Sequence, residues 1–319
     1  MTTQKWLRLL VLPAFFAISC KGNSSTPVSP TPTPTTPTPT TPTSPVVVPQ
    51  TVYFVGAGDI ADCSAETGLH AEATAKLIDK MPEAVVFTAG DNAYFDATTS
   101  DYANCYHPRW GRFKGRTNPS PGNHEYQRDA APYFNYFAGQ RTGDGGSGYY
   151  SYTLGNWHII SLNSNIDVSA GSVQVNWLKR DLLDNKTTAT AKCTLAYWHH
   201  PLFTSGPSAG SNGMMRDVWQ VLWEQGVDVI VNGHDHLYER FLAQTPDQLR
   251  SPSTGIVEYI VGTGGAPLYD FGPVLPNSAA KLKTYGVLYF TLRDVGWDSV
   301  FVEAGTEARL DLSTNNLCH

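Results

Sequence analysis

Ala84-Val85-Val86-Phe87-Thr88-Ala89, followed at once by Gly90-Asp91-Asn92-Ala93-Tyr94, sets the pattern for the whole chain. A short β-branched and aromatic run reads as a strand, and it ends in a glycine and a carboxylate. Three further apolar runs also precede candidate ligands: Val52–Ala57 precedes Gly58-Asp59, Thr194–Trp198 precedes His199-His200, and Val227–Val231 precedes Gly233-His234-Asp235-His236. A fifth cluster, Gly122-Asn123-His124-Glu125, has no such run before it. Ligands of open α/β sheets collect just beyond the carboxyl ends of strands, so this order is expected to bring distant residues into one crevice.

Outward from these motifs, the spacing predicts helices over Ala65–Lys80, with Leu69, Ala73, Leu77 and Ile78 on one side, over Val173–Leu183, through Val173, Trp177, Leu178 and Leu182, and over Met215–Gln225. Strand, helix, strand in succession implies neighbouring parallel strands. Trp157–Leu162, Ile256–Val261, Val287–Leu292 and Ser299–Val302 also read as strands, the last three as antiparallel because their connections are short. Two stretches, between Tyr94 and Gly122 and over Gly139–Tyr152, carry few regular signals. Their aromatics Tyr106, Trp110, Tyr149 and Tyr150 are candidates for shaping substrate choice or for packing the loops onto the sheet.

The chain has 319 residues, with 41% hydrophobic and 16% charged residues, enough for a core of ordinary size. A formal charge of −6 offers none of the basic surface that nucleic-acid binding uses, which disfavours polynucleotide substrates. Lys5 and Arg8 precede the apolar stretch Leu9–Ile18, a secretory signal pattern over residues 1–20 that is too short to span a bilayer. The run Ala17-Ile18-Ser19-Cys20 resembles a bacterial lipobox, which implies lipidation of Cys20 and a membrane anchor. Residues 21–50 are nearly all Pro, Thr and Ser and read as an extended tether; residues 51–319 read as one domain. Four further cysteines in an exported chain favour two disulfides out of three pairings, with Cys63–Cys105 and Cys193–Cys318 expected.

Asp59, Asp91, Tyr94, Asn123, His199, His234 and His236 make an oxygen and nitrogen ligand set without thiols, large enough for two hard or borderline metal ions. With GDNAY at Gly90–Tyr94, GNHE at Gly122–Glu125, His199-His200-Pro201 and GHDH at Gly233–His236, the chain resembles the metallophosphoesterases, and Tyr94 makes it similar to their purple acid phosphatase branch. That resemblance implies a four-layer α/β sandwich of two mixed β-sheets flanked by helices. It implies Asp59, Asp91, Tyr94 and His236 around one metal and Asp91, Asn123, His199 and His234 around the other, with Asp91 bridging. Where other metallophosphoesterases have a histidine two residues after the first aspartate, this chain has Ala61, and Tyr94 takes its place.

A phenolate ligand implies Fe(III), paired with Fe(II), Zn or Mn. The implied reaction is hydrolysis of small phosphate monoesters by a metal-bound hydroxide. No histidine occurs in Leu202–Met214, where phosphomonoesterases of this branch have one, so His124 or His200 is expected to protonate the leaving oxygen. A phosphodiesterase and a surface module that captures phosphate or phosphosugars without turnover are the alternatives. Asp62 and Asp96 are expected to serve their own loops, Asp235 to point away from the metals and Glu125 to be structural.

Overall fold

The structure is a computed structural model that describes residues 50–188 and 191–319. The expected signal segment with Cys20, and the expected tether apart from Gln50, lie outside the described residues. Strands β1 (Val52–Ala57), β2 (Val85–Ala89), β3 (Thr117–Ser120), β11 (Gly286–Arg293), β12 (Gly296–Glu303) and β13 (Arg309–Leu317) form one sheet in the order β13-β12-β11-β1-β2-β3. Strands β4 (Tyr150–Leu154), β5 (Trp157–Ser161), β6 (Cys193–Tyr197), β7 (Val229–Asn232), β8 (Tyr238–Gln244), β9 (Ile256–Val261) and β10 (Ser278–Leu282) form the other in the order β10-β8-β9-β7-β6-β5-β4. The first has a parallel block, β1-β2-β3, that ends at one edge and antiparallel pairs toward the other; the second has a parallel heart, β9-β7-β6-β5, with antiparallel pairs toward both edges.

Among the described residues five α-helices accompany the sheets, α1 (Ala65–Asp79), α2 (Thr99–Asp101), α3 (Ala131–Tyr136), α4 (Val173–Thr188) and α5 (Arg216–Glu224), together with short 3-10 segments and one π-helix, Tyr102–Tyr106. The sheets face each other through aromatic rings, Phe54 of β1 lying 6.0 Å and Phe87 of β2 5.8 Å from Tyr197 of β6. In the second sheet alternate residues serve two cores. Ile159, Leu195, Val229, Val231 and Tyr259 face the first sheet, while Ile160, Ala196, Ile230 and Ile260 pack with Val175, Leu178, Val218 and Trp219 of α4 and α5. Strands buried on both faces need apolar residues at every position, which is why they stand out as continuous runs in the sequence. The four-layer sandwich of two mixed sheets flanked by helices is therefore the observed architecture. No helix among the described residues is long and apolar enough to cross a membrane.

Several expectations are corrected. Leu69 and Val173 are 70% and 77% exposed, while Leu77, Ile78, Leu178 and Leu182 are buried as expected; α1 buries Ala71, Thr74 and Ala75 besides, and α4 buries Val175. Small residues at Ala71 and Ala75 leave room for a close approach of the chain around Trp110, whose indole donates to Ala71 O at 3.1 Å. Ile256–Val261 runs parallel to β7 as well as antiparallel to β8, because β8 returns one strand away and β9 fills the gap. Tyr106, Trp110 and Tyr150 are buried packing residues and do not reach the crevice.

The unexpected β3 gives the fifth cluster its strand. Thr117-Asn118-Pro119-Ser120 is polar yet buried, at the edge of its sheet where proline is tolerated. Its carbonyls are satisfied by phenols, Tyr133 and Tyr150 donating to Pro119 O at 3.1 and 2.7 Å and Tyr197 to Asn118 O at 3.1 Å. Hydrophobic periodicity carries no trace of such a strand.

Both expected disulfides are present, Cys63–Cys105 and Cys193–Cys318. The second ties the start of β6 to the end of β13 and so links the two sheets. His319 strengthens this corner, its backbone N and Nδ1 lying 2.9 and 3.0 Å from Asp228 Oδ1.

Replacing Cys193 and Cys318 by serine is expected to lower the unfolding free energy by up to ~4 kcal/mol in a denaturant titration. The metal content stays unchanged, because the crevice lies at the other end of β6. The hydrogen bond that His319 donates to Asp228 raises its pKa above the ordinary 6.5. Its stabilisation is therefore full below pH 6.5 and is lost as pH rises through the raised folded value, a dependence that His319→Ala removes.

Candidate metal centre

Each ligand cluster follows the carboxyl end of a strand: Asp59 after β1, Asp91 and Tyr94 after β2, Asn123 after β3, His199 after β6, and His234 and His236 after β7. The loops continue the parallel ladder, Asp59 N donating to Gly90 O at 3.0 Å and Ile60 N to Asp91 O at 2.9 Å. Asp59, Asp91 and His234 have φ of 59°, 48° and 72°, left-handed values that are uncommon for residues with a side chain. Their neighbours leave no space either. A Cβ on Gly122 would stand 2.1 Å from Asp91 Oδ1, and one on Gly90, itself at φ +83°, 2.5 Å from His199 Nδ1.

The side chains meet as two overlapping groups. Tyr94 hydroxyl lies 3.0 Å from Asp59 Oδ1, 3.1 Å from Asp91 Oδ2 and 3.2 Å from His236 Nε2. Asn123 Oδ1 lies 3.0 Å from His199 Nε2 and 3.1 Å from His234 Nδ1, and Asp91 Oδ2 is 3.2 Å from His199 Nε2. All seven candidate ligands thus converge, with one Asp91 oxygen in both groups. Carbonyls orient two of the imidazoles: His199 Nδ1 is 2.8 Å from Ala89 O and His236 Nδ1 2.7 Å from Pro267 O.

Burial and charge pull the protons of this cluster in opposite directions. Burial opposes a charge on Asp91, yet the adjoining His199 holds its carboxyl well below the usual range. Burial likewise works against a charged His199, but Asp91 and Asp59 raise it to about 9. His234 is pushed down to about 4 by burial and by His199. Burial, then Asp59 and Asp91, hold the Tyr94 phenol well above its ordinary value, so it keeps its proton unless a cation replaces it.

The two candidate proton donors stand differently. His124 borders the crevice, a cavity of ≈ 360 Å³, with its Nδ1 2.5 Å from Phe95 O and its Nε2 3.8 Å from Asp91 Oδ2. His200 lies behind the ligand histidines, its Nδ1 2.8 Å from Ser164 Oγ, and burial with His199 and His234 alongside pushes its pKa down to about 2. One of its ring nitrogens lies within 4.8 Å of those of His199 and His234, and His200 does not line the crevice that His124 borders.

Glu125 is the main support of the centre. Its fully buried carboxylate accepts from the backbone N of Asp91 at 3.0 Å, Asn92 at 2.9 Å and Gly122 at 2.6 Å, and from Tyr102 hydroxyl at 3.0 Å. Burial and the nearby Asp91 raise it to about 7. Asp235 points out of the cage, accepting from Thr204 hydroxyl at 2.6 Å and Ser208 N at 3.2 Å. Asp62 accepts from Ser64 N at 2.7 Å, within its own loop, and Asp96 pairs with Arg128. Sequence reasoning missed Tyr269, which lines the crevice and stacks on His236 with centroids 4.0 Å apart and planes at 10°. It belongs to no motif, and only the glycines Gly262, Gly264 and Gly265 ahead of it mark a loop.

The sequence model of the calcineurin-like phosphoesterase family matches residues 51–238. Among curated relatives, "Probable purple acid phosphatase 20" of Arabidopsis thaliana is 27% identical over 83% of this chain and 62% of its own length. "Purple acid phosphatase 15" of the same plant is 29% identical over 59% of this chain and 41% of its own length. The chain thus spans less than two thirds of these relatives. Among solved structures, a purple acid phosphatase from yellow lupin (Lupinus luteus) seeds matches with TM-score 0.68 at 19% identity, over 82% of this chain and 53% of its own. GAP50, described as the anchor in the inner membrane complex of Plasmodium, matches with TM-score 0.64 at 17% identity, over 84% and 90%. At these identities the structural matches carry the fold.

Glu125→Ala leaves four buried amides, those of Asp91, Asn92, Ala93 and Gly122, without that acceptor, each costing about 1–3 kcal/mol. Loss of several degrees in Tm together with loss of retained metal is the expected result, measured by calorimetry and elemental analysis. Gly122→Ala, which pushes on the Asp91 carboxylate, is expected to lower metal retention with a smaller effect on Tm.

Proposed function

The chain belongs to the calcineurin-like phosphoesterase family, and from that membership we propose that it hydrolyses small phosphate monoesters with two metal ions held at the ends of its sheets. The observation that carries the reading is the placement of Asp91 Oδ2, 3.1 Å from Tyr94 hydroxyl and 3.2 Å from His199 Nε2, as a member of both ligand groups.

The donor set fits two cations. His199 donates from Nδ1 to Ala89 O, so its neutral form turns a lone pair on Nε2 toward Asn123 Oδ1 and Asp91 Oδ2, which are acceptors too. His236 does the same from Nδ1 to Pro267 O, leaving Nε2 to face Tyr94 and Asp59. Lone pairs that converge with too few protons between them suit metal ions. Asp59, Tyr94 and His236 would hold one, Asn123, His199 and His234 the other, and Asp91 both. Such a pair supplies a water acidified to near neutrality and positive charge against the phosphate oxygens. A phenol that holds its proton so firmly calls for a strongly polarising ion, which favours Fe(III) at Tyr94 beside Fe(II), Zn or Mn.

His124 is the residue assigned to the leaving group. Phe95 O fixes its Nδ1, and a protonated Nε2 facing the crevice binds a phosphate oxygen and passes a proton to the departing one. Export is part of the proposal: a signal over residues 1–20, lipidation at Cys20, a tether over 21–50 and a folded domain over 51–319. Two disulfides suit that oxidising compartment.

Elemental analysis of the purified protein is expected to give close to two metals per chain with iron among them, and Tyr94→Phe to remove the visible absorption of an iron phenolate. Asp91→Ala is expected to lose bound metal and to reduce kcat/KM for an aryl phosphate monoester by more than about 10²-fold. Full turnover in that variant defeats the mechanism, faster hydrolysis of aryl diesters than of monoesters turns the reading to a phosphodiesterase, and tight phosphate binding without turnover turns it to a capture module. Cys20→Ser is expected to move the protein from the membrane to the soluble fraction.

A further inference from the structure

A second cavity, of ≈ 500 Å³, opens beside β4 and is lined by residues from Gln140 to Ser151 and by Trp177 of α4. It lies at the same end of the sheet as the metal centre. Tyr150, Ser161 and Tyr197 stand side by side in the β4, β5 and β6 ladder, so the cavity is two strand spacings, about 10 Å, from the strand that leads into His199.

Its wall is fixed. Gly148 N donates to Thr142 O at 2.9 Å, Asn163 Nδ2 donates to Ser147 O at 3.0 Å, and Arg141 is held over the Tyr152 ring with a bond to Asn118 Oδ1 at 3.2 Å. Tyr149 and Trp177 form a corner, their centroids 4.9 Å apart and their planes tilted by 49°. Rings so close admit nothing flat between them and instead present a bent apolar surface. Around it the Gln140 amide, the Asp144 carboxylate and the Trp177 indole N–H make no hydrogen bond to another described residue, while Arg141 and Asp144 balance in charge.

We propose that this cavity is a saccharide subsite that takes one pyranose ring of a neutral sugar. A puckered ring lays its C–H face on the tilted aromatic corner and offers hydroxyls to donors and acceptors alike, which matches the mixed rim of Gln140, Asp144 and Trp177. An anion needs an excess of positive charge, which Arg141 balanced by Asp144 does not offer, and a planar base, which needs only one flat ring, is the competing ligand that the test includes. The subsite does not depend on the hydrolytic reading of the metal centre.

The test is ligand-observed saturation-transfer NMR on the full chain with methyl hexopyranosides, adenosine and glycerol as probes. Transfer to pyranoside C–H protons is expected, weakened at least about tenfold in Trp177→Ala and Tyr149→Ala and kept in Asp91→Ala. Asp144→Ala, on an exposed loop, provides a weakened variant that leaves the core intact, and unchanged circular dichroism and Tm of these three cavity variants report that they are folded. No transfer to any pyranoside, equal transfer in Trp177→Ala and Tyr149→Ala, or preferential binding of adenosine overturns the proposal.

Discussion

A single buried carboxylate, Glu125, holds the loops after β2 and β3 in register by accepting from the amides of Asp91, Asn92 and Gly122. Those amides lie where the parallel ladder of β2 and β3 has ended, so no neighbouring strand is available to bind them. Without Glu125 they are buried donors without acceptors. The cluster of Asp91, Tyr94 and Asn123 therefore rests on one side chain, which Tyr102 secures in turn from the π-helix Tyr102–Tyr106.

The left-handed backbone at Asp59, Asp91 and His234 belongs to the same economy of space. Turning the chain sharply at a strand end aims a side chain back across the sheet, and strain of order 1–3 kcal/mol per residue persists only where the surroundings impose it. Here the ladder bonds between the β1 and β2 loops and the Glu125 carboxylate impose it. The acid and base groups brought together in this way compete for too few protons: His199 is raised, His234 is lowered and Tyr94 cannot ionise alone. That contest is the electrostatic mark of a cage built for cations.

Much of this was legible in the sequence because strands buried on both faces must be apolar throughout, and because the ligands directly follow them. The order of the clusters and the helices between them could be read from that pattern, and the even count of cysteines pointed to two disulfides. What could not be read has a common cause, in that backbone partners there come from side chains or from distant chain. β3 is polar because phenols satisfy its carbonyls, and β9 changed partners because β8 had left a gap. Exposed Leu69 and Val173 fit an amphipathic period as well as buried residues do, and His200 differs from His199 only in which way it faces. Tyr269 acquires its place from a loop that no periodicity describes.

Asp235 sits between two inward-facing histidines and turns outward, where its carboxylate grips Thr204 and Ser208. One turn is thus loaded from both sides, by the cage within and by the crevice wall without. The segment that walls the crevice at Pro207 and Ser208 is thereby tied, through one carboxylate, to the turn that carries His234 and His236, so the position of the wall is set by the same few residues that set the two imidazoles.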